Sequence, residues 1–130
     1  RDEFNVDSRR IYLYGHSMGG GGAFHLLAKY PEQFAAIATV APAYFVKGRS
    51  AMLADSHSAI LVIQGEKDRM VDVIGTRSLV EGLKNDGHQV KYIEVSGGNH
   101  LFPAWTHWDQ VFELYNSNKL SNIPPTPMYH

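Results

Sequence analysis

The stretch Arg10-Ile11-Tyr12-Leu13-Tyr14-Gly15-His16-Ser17-Met18-Gly19-Gly20 decides the fold, because a serine between glycines joins a strand pattern to a helix pattern. Its first five residues are rich in β-formers and are bounded by Gly15, which is typical of a buried strand. Downstream, four residues spaced i, i+3, i+4 and i+7 share one face of a helix: Ala23, Leu26, Leu27 and Tyr30. Pro31 ends that helix, since proline cannot continue its hydrogen-bond ladder. Ser17 is therefore predicted to lie on the turn between a strand and a helix.

Gly15 and Gly19 lie two residues before and two residues after Ser17, which gives the pattern Gly-x-Ser-x-Gly. Between a strand and a helix, this pattern is typical of a nucleophile elbow. Both glycines are expected to keep the turn tight enough to lift the serine hydroxyl clear of the sheet. The helix that follows begins with free N–H groups. We therefore expect Ser17 to be a nucleophile and the backbone N–H of Met18 to form half of an oxyanion hole.

Three further segments have the apolar, β-branched pattern of strands, namely residues 35–40, 59–64 and 90–95. A helix is predicted over residues 71–86, stopped by Gly87, and a final helix begins at Pro103. That final helix is expected to carry four aromatic residues on one face: Trp105, Trp108, Phe112 and Tyr115. Strands that alternate with helices predict an α/β fold, with a parallel sheet covered by helices on both faces. Residues 1–116 are expected to form one domain or part of one, and residues 117–130 an extended tail.

Three polar residues follow three of the predicted strands. Ser17 follows the first strand, Asp68 the third and His100 the fourth, and the site of a parallel α/β sheet forms outside the carboxyl ends of its strands. A serine hydroxyl needs a base within hydrogen-bond reach, and His100 is the predicted base. Asp68 is expected to hold the other ring nitrogen and to stabilise the imidazolium.

Rival residues for the acid and the base are present but fit less well. Glu66 comes directly after Gly65, whereas Asp72 has the position of a cap on the following helix. His107 is predicted to lie on the surface of the final helix. His16 flanks the serine and is a candidate for substrate binding or for packing.

Tyr44 lies in a stretch without clear periodicity and is a candidate wall for an acyl pocket. The alternative for such a residue is simple packing beneath a loop. No His or carboxylate pair has the close helical spacing of a metal site, and glycines 19–22 are not followed by the Lys-Ser/Thr of a phosphate-binding loop. No metal and no cofactor are therefore predicted.

Charge and length limit the classes of partner. The 130 residues carry 12 Lys and Arg against 13 Asp and Glu, a formal net charge of −1, and no cysteine. Such a balance offers no basic field for nucleic acid or an anionic membrane, and no disulfide can form. The chain is long enough for one core but short for an enzyme with the predicted α/β fold. A small-molecule substrate is expected, with no nucleic acid and no membrane as partner.

Several segments together resemble the catalytic half of an α/β-hydrolase, closest in character to bacterial carboxylesterases of the polyhydroxybutyrate-depolymerase or feruloyl-esterase type. The order of serine, aspartate and histidine along the chain is the order of that superfamily. Four segments carry the resemblance: Asn5-Val6-Asp7, Gly15 to Gly20, Gln64-Gly65-Glu66-Lys67-Asp68 and Gly97-Gly98-Asn99-His100. One departure is Met70-Val71-Asp72, where relatives often have Val-Pro after the aspartate.

The resemblance implies a serine hydrolase that cleaves carboxylic esters through an acyl-enzyme, with peptidase or thioesterase activity as alternatives in the same mechanism. It also implies an earlier loop of the His-Gly-Gly type that completes the oxyanion hole, and no such segment precedes residue 10. The N-terminal strands of the fold are accordingly expected to be missing. A non-catalytic or partner-dependent fragment is therefore the competing interpretation.

The first predicted strand, from Arg10 to Tyr14, is apolar on both faces, with Ile11 and Leu13 on one and the two tyrosines on the other. A strand of that kind is built to be buried, and an uncovered edge would present unpaired N–H and C=O groups. We therefore expect a second copy of the chain, or a separate chain, to pair with this edge.

Overall fold

The computed structural model describes residues 7–43 and 53–120. Four strands and four helices lie in these ranges: β1 (Tyr12–His16), α1 (Met18–Lys29), β2 (Ala36–Val40), β3 (Ala59–Gly65), α2 (Val73–Asn85), β4 (Val90–Val95), α3 (Phe102–Thr106) and α4 (Trp108–Ser117). The strands form one sheet in the order β1-β2-β3-β4, and every neighbouring pair is parallel. The predicted parallel α/β sheet is confirmed.

Alternation along the strands divides the apolar side chains between the two faces of the sheet. On one face, Ile37, Ile60 and Val62 pack with residues of α1 and α2. On the other face, Leu61 and Ile63 pack with Val111 of α4. Helices therefore cover both faces, and the two central strands are buried along their whole length, as parallel strands usually are.

The first strand begins and ends later than its apolar run predicts. β1 extends through Gly15 and His16, which pair with Thr39 and Val40 of β2. The turn therefore begins at Ser17 itself. The glycine does not end the strand, because backbone pairing with β2 continues past it.

The single final helix was a wrong prediction, because two helices occupy that segment. α3 ends at Thr106, His107 has φ −124° and ψ 26°, and α4 begins at Trp108. The predicted aromatic face is therefore split between two helices. Trp105 lies on α3 and is 75% exposed, and the residue that α4 buries is Val111 rather than an aromatic residue. None of the helices in the described residues is long and apolar enough to cross a lipid bilayer.

The strand β1 lies at one edge of the sheet, and α4 packs against one of its faces. The Tyr12 and Tyr115 rings stack with their centroids 4.4 Å apart. The Tyr115 hydroxyl donates a 2.6 Å hydrogen bond to the carbonyl oxygen of Leu13. Ile11 and Leu13 contact the core on one face, and Tyr14 contacts the core on the other, so β1 is apolar on both faces as predicted.

Candidate active site

The turn from β1 to α1 holds Ser17 in a strained backbone conformation, with φ 59° and ψ −120°. A residue with a side chain rarely adopts such angles, which cost on the order of 1–3 kcal/mol and need support from the surroundings. The support consists of backbone hydrogen bonds: the Ser17 N–H donates to Val40 (2.8 Å), and its carbonyl accepts from Gly20 (3.0 Å) and Ala43 (2.8 Å). The serine therefore sits on a sharp, well-anchored turn where the strand becomes the helix.

Gly15 is required at this turn because the backbone of Gly19 lies directly against it. A Cβ atom at Gly15 would come within 2.1 Å of the Gly19 carbonyl oxygen. A Cβ at Gly19 would meet no described atom within 4 Å. The tightness of the turn therefore depends on the first glycine of the motif, and the need for the second glycine stays a prediction.

The side chains of Asp68 and His100 form a buried hydrogen-bonded pair. The distance from Nδ1 of His100 to Oδ2 of Asp68 is 2.7 Å, and each residue is only 9% exposed. The other carboxylate oxygen of Asp68 accepts hydrogen bonds of 2.8 Å from the backbone N–H groups of Met70 and Val71.

These bonds fix the ionisation of the acid and the tautomer of the base. Burial acts to raise the pKa of Asp68, but hydrogen bonds from the Val71 N–H, His100 and the Met70 N–H outweigh it, so the pKa is lowered. Asp68 is therefore a carboxylate at neutral pH and can only accept hydrogen bonds. Nδ1 of His100 must then carry a proton, so that in the neutral imidazole Nε2 is the nitrogen whose lone pair can act as a general base.

Close contact between two loops holds this pair in place. A Cβ at Gly65, where β3 ends, would come within 2.4 Å of the carbonyl oxygens of Gly98 and Asn99. The Lys67 N–H donates a 2.9 Å hydrogen bond to the Gly98 carbonyl, and the Glu66 carboxylate accepts one of 3.0 Å from the Gly97 N–H. The loop that carries His100 is therefore packed on the loop that carries Asp68.

His16 connects the serine turn to the histidine loop. Its Nε2 lies 2.7 Å from the carbonyl oxygen of His100, and the two rings have centroids 4.8 Å apart. Since a carbonyl only accepts, Nε2 of His16 is the donor. This brings His100 to the residue next to Ser17, although β1 and β4 lie at opposite edges of the four-stranded sheet. Among the described residues, no hydrogen bond joins the Ser17 hydroxyl to His100.

The rival residues are occupied elsewhere. The Asp72 side chain accepts a 3.0 Å hydrogen bond from the Ile74 N–H and so caps α2, as predicted. Nδ1 of His107 lies 2.7 Å from the Thr106 hydroxyl. In residues 7–43 and 53–120, no three His, Asp or Glu side chains are grouped closely enough to hold a metal ion.

Two polar side chains near the pair were missed by the sequence analysis. Gln64 is fully buried and contacts Asp68, and Thr76 contacts Gln64. A buried glutamine at the end of an apolar strand was the available signal, because a buried amide needs partners. Tyr44 lies outside the described residues, and its role in substrate binding stays a prediction, as does that of His16.

Exposed apolar side chains follow the serine and the histidine in sequence. Met18 is 67% exposed, Leu101 60% and Phe102 56%. Large apolar residues exposed beside polar groups are typical of ligand-binding surfaces. The N–H of Met18 begins α1 and has no acceptor within the helix.

Comparison with known proteins gives the same architecture. The family model of the serine aminopeptidases, S33, matches residues 3–57. Cutinase 2 of Thermobifida cellulosilytica is 30% identical over 99 residues, which are 75% of this chain and 36% of that protein. A cutinase of Thermobifida fusca is 30% identical over 99 residues, 75% of this chain and 29% of its own length. The chain therefore spans about a third of the length of the curated relatives it matches.

Solved structures agree with these relatives. A thermostable esterase superposes with a TM-score of 0.75 and 29% identity, over 92% of this chain and 34% of that one. Esterase PE8 shares the fold, with a TM-score of 0.72 at 21% identity, over 89% of this chain and 54% of its own. The chain therefore has the α/β-hydrolase fold, and over part of its length it is similar to esterases and cutinases.

Proposed function

We propose that this chain is a serine hydrolase that cleaves carboxylic esters through an acyl-enzyme. Ser17 is the nucleophile, His100 the general base and Asp68 the acid that orients it. The observation that carries the proposal is the buried 2.7 Å hydrogen bond between His100 and Asp68. His16, the residue before Ser17, is hydrogen-bonded to the carbonyl oxygen of His100 and so connects the serine turn to this pair. The alternative is a non-catalytic or partner-dependent fragment of such an esterase.

The first half of the reaction forms the acyl-enzyme. The free Nε2 of His100 takes the proton of the Ser17 hydroxyl as its oxygen attacks the ester carbonyl carbon. The imidazolium gives that proton to the departing alcohol when the ester C–O bond breaks. Water then attacks the acyl-enzyme by the same steps and releases the acid. Catalytic hydrogen bonds often tighten only when substrate binds.

Two features support the placement of the substrate. The carbonyl oxygen becomes negative in the tetrahedral intermediate, and the N–H of Met18 at the start of α1 would donate to it. The exposed side chains of Met18, Leu101 and Phe102 would receive an apolar acyl or alcohol group. Tyr44 is a further candidate for substrate contact, and the kinetics of His16 variants decide whether His16 is another.

Peptide cleavage is the second candidate, because the matching family model describes serine aminopeptidases. The same three residues would serve, with an amine in place of the alcohol as leaving group. Ester and amide substrates therefore have to be compared directly.

A burst experiment tests the proposal. A p-nitrophenyl ester of a short acid should release one equivalent of p-nitrophenol rapidly and then turn over slowly, if deacylation limits. The matching aminoacyl p-nitroanilide reports peptidase activity. Ser17→Ala serves as the control for both. If the unsubstituted chain releases p-nitrophenol no faster than Ser17→Ala does, the proposal is contradicted, and the interpretation as a fragment that is inactive on its own is favoured.

We further propose that another strand pairs with the outer edge of β1, supplied by a second copy of the chain or by a separate chain. Within the described residues β1 has a strand neighbour on one side only, yet Ile11 and Leu13 contact one core and Tyr14 the other. Size-exclusion at several concentrations, with hydrogen exchange of residues 12–16, tests this. A stable monomer with fast exchange in β1 would contradict it, because a paired edge protects its amides.

A further inference from the structure

We propose that Gln64 and Thr76 act together as positioning residues for Asp68, so that helix α2 fixes the orientation of the acid. This inference rests on the proposed function, in which Asp68 orients His100. Neither residue is proposed to touch substrate, and both lie on the far side of Asp68 from His100 along the chain of hydrogen bonds.

The Gln64 amide lies in a fully buried position at the end of β3, and all its polar atoms have partners. Its Nε2 group lies 3.3 Å from Oδ2 of Asp68 and 3.0 Å from the carbonyl oxygen of Val71. The carbonyl oxygen of Gly65 lies 3.3 Å from the same Nε2 atom. The Thr76 hydroxyl donates a 2.8 Å hydrogen bond to Oε1 of Gln64.

These partners allow one orientation of the amide. All three groups around Nε2 are acceptors, so a flipped amide would place its oxygen against three oxygens in a buried site. A buried polar group without a partner costs on the order of 1–3 kcal/mol, so the observed orientation is strongly favoured. Thr76 reinforces it from the other end, because its hydroxyl supplies the donor that Oε1 needs.

The consequence for Asp68 is a carboxylate held at both oxygens. Oδ1 accepts from the backbone of Met70 and Val71, and Oδ2 is shared between Gln64 and His100. With its plane fixed, the carboxylate meets Nδ1 of His100 in one geometry, before and after the imidazolium forms. Without the Gln64 amide, Oδ2 of Asp68 would have His100 as its one remaining hydrogen-bond partner in this cluster, and the plane of the carboxylate could tilt.

Two substitutions remove this support at different points. Gln64→Met removes the amide and keeps a side chain of similar length. Thr76→Val removes only the hydroxyl, and Thr76→Ser restores it. Thr39→Val is the matched control, since Thr39 is fully buried and its hydroxyl has no partner among the described residues.

The measurements are the NMR signal of the Nδ1 proton of His100 and the kinetics of p-nitrophenyl ester hydrolysis by the whole chain. Gln64→Met should lower kcat roughly 10- to 100-fold, the equivalent of one hydrogen bond to a charged group, and Thr76→Val about fivefold. KM should not change, because neither residue touches substrate. In both variants the low-field Nδ1 signal should weaken or move upfield, while Thr76→Ser and Thr39→Val keep it.

An unchanged Nδ1 signal in both Gln64→Met and Thr76→Val would overturn the inference, whatever the rates. An equal loss in Thr39→Val would also overturn it, because the effect would then be general to buried hydroxyls. If Gln64→Met does not fold, Thr76→Val decides. If the unsubstituted chain hydrolyses no ester, the proposed function fails, whereas the NMR series still decides whether Gln64 and Thr76 position Asp68.

Discussion

The imidazole of His16 donates a 2.7 Å hydrogen bond to the carbonyl oxygen of His100, 84 positions along the chain. The residue before the proposed nucleophile thus anchors the backbone of the proposed base. The contact crosses the carboxyl end of the sheet from the β1 edge to the loop after β4. It joins the serine turn to the loop that carries His100, and the hydrogen bond between Asp68 and His100 joins that loop to the one that carries Asp68.

This contact predicts how substitutions of His16 affect activity. His16→Leu should lower kcat about fivefold with little change in KM, because a neutral hydrogen bond contributes about 1 kcal/mol. His16→Gln can still donate from its amide and should recover much of the loss. Steady-state kinetics on a p-nitrophenyl ester measures both. A rise in KM at constant kcat would instead show that His16 binds substrate.

The choice of acid is tested by two aspartates that lie four residues apart. Asp68→Asn should lower kcat on the order of thousands-fold, as in other triads, because the amide no longer favours the productive tautomer of the histidine. Asp72→Asn keeps a side chain that can cap α2 and should retain most activity. Equal losses in the two variants would show that Asp68 has no special role.

Acid stability gives a second measurement on Asp68 that does not depend on activity. Its hydrogen bonds lower the pKa in the folded chain, so the folded state binds fewer protons than the unfolded state near that pKa. The resulting stability is complete above about pH 4, the ordinary aspartate pKa, and is lost as pH falls through the lower folded pKa. The gap in unfolding free energy between the unsubstituted chain and Asp68→Asn should therefore narrow in acid. A gap that stays constant from pH 6 to pH 2 would contradict the account.

Glycine contacts predict opposite outcomes at two positions. Gly65→Ala should displace the His100 loop and abolish most activity, because its Cβ would overlap the carbonyl oxygens of Gly98 and Asn99. Gly75 lies in α2, where a Cβ meets no described atom, so Gly75→Ala should stabilise the chain by up to about 1 kcal/mol. Thermal unfolding and ester hydrolysis of both variants check this. Full activity in Gly65→Ala would mean that the loop contact is not needed.

The sequence was sufficient to predict the sheet and the Asp68–His100 pair, because both follow from local patterns. Runs of β-branched residues gave the strands at residues 59–64 and 90–95, and the parallel arrangement then brings the loops after them to one edge. Asp72 could be rejected as the acid in favour of Asp68 because its position predicts a helix cap, which is also a local signal.

Features that depend on contacts across the chain could not be predicted in this way. The helix break at His107 comes without a proline or glycine to mark it. The roles of His16 and Gln64 depend on partners in other elements, and a side chain's pattern along its own strand says nothing about them. β1 runs past Gly15 because β2 pairs with it, so local propensity misplaced its end.

The central claim is that Ser17 is the nucleophile, and covalent labelling tests it most directly. A fluorophosphonate probe should modify the folded chain at one serine, and peptide mass spectrometry should locate the label on Ser17, since the preceding residue, His16, is hydrogen-bonded to the loop that carries His100. Ser17→Ala, shown to be folded by circular dichroism, should take up no label. Label that persists on the Ser17→Ala variant, or that maps to another serine, would contradict the account.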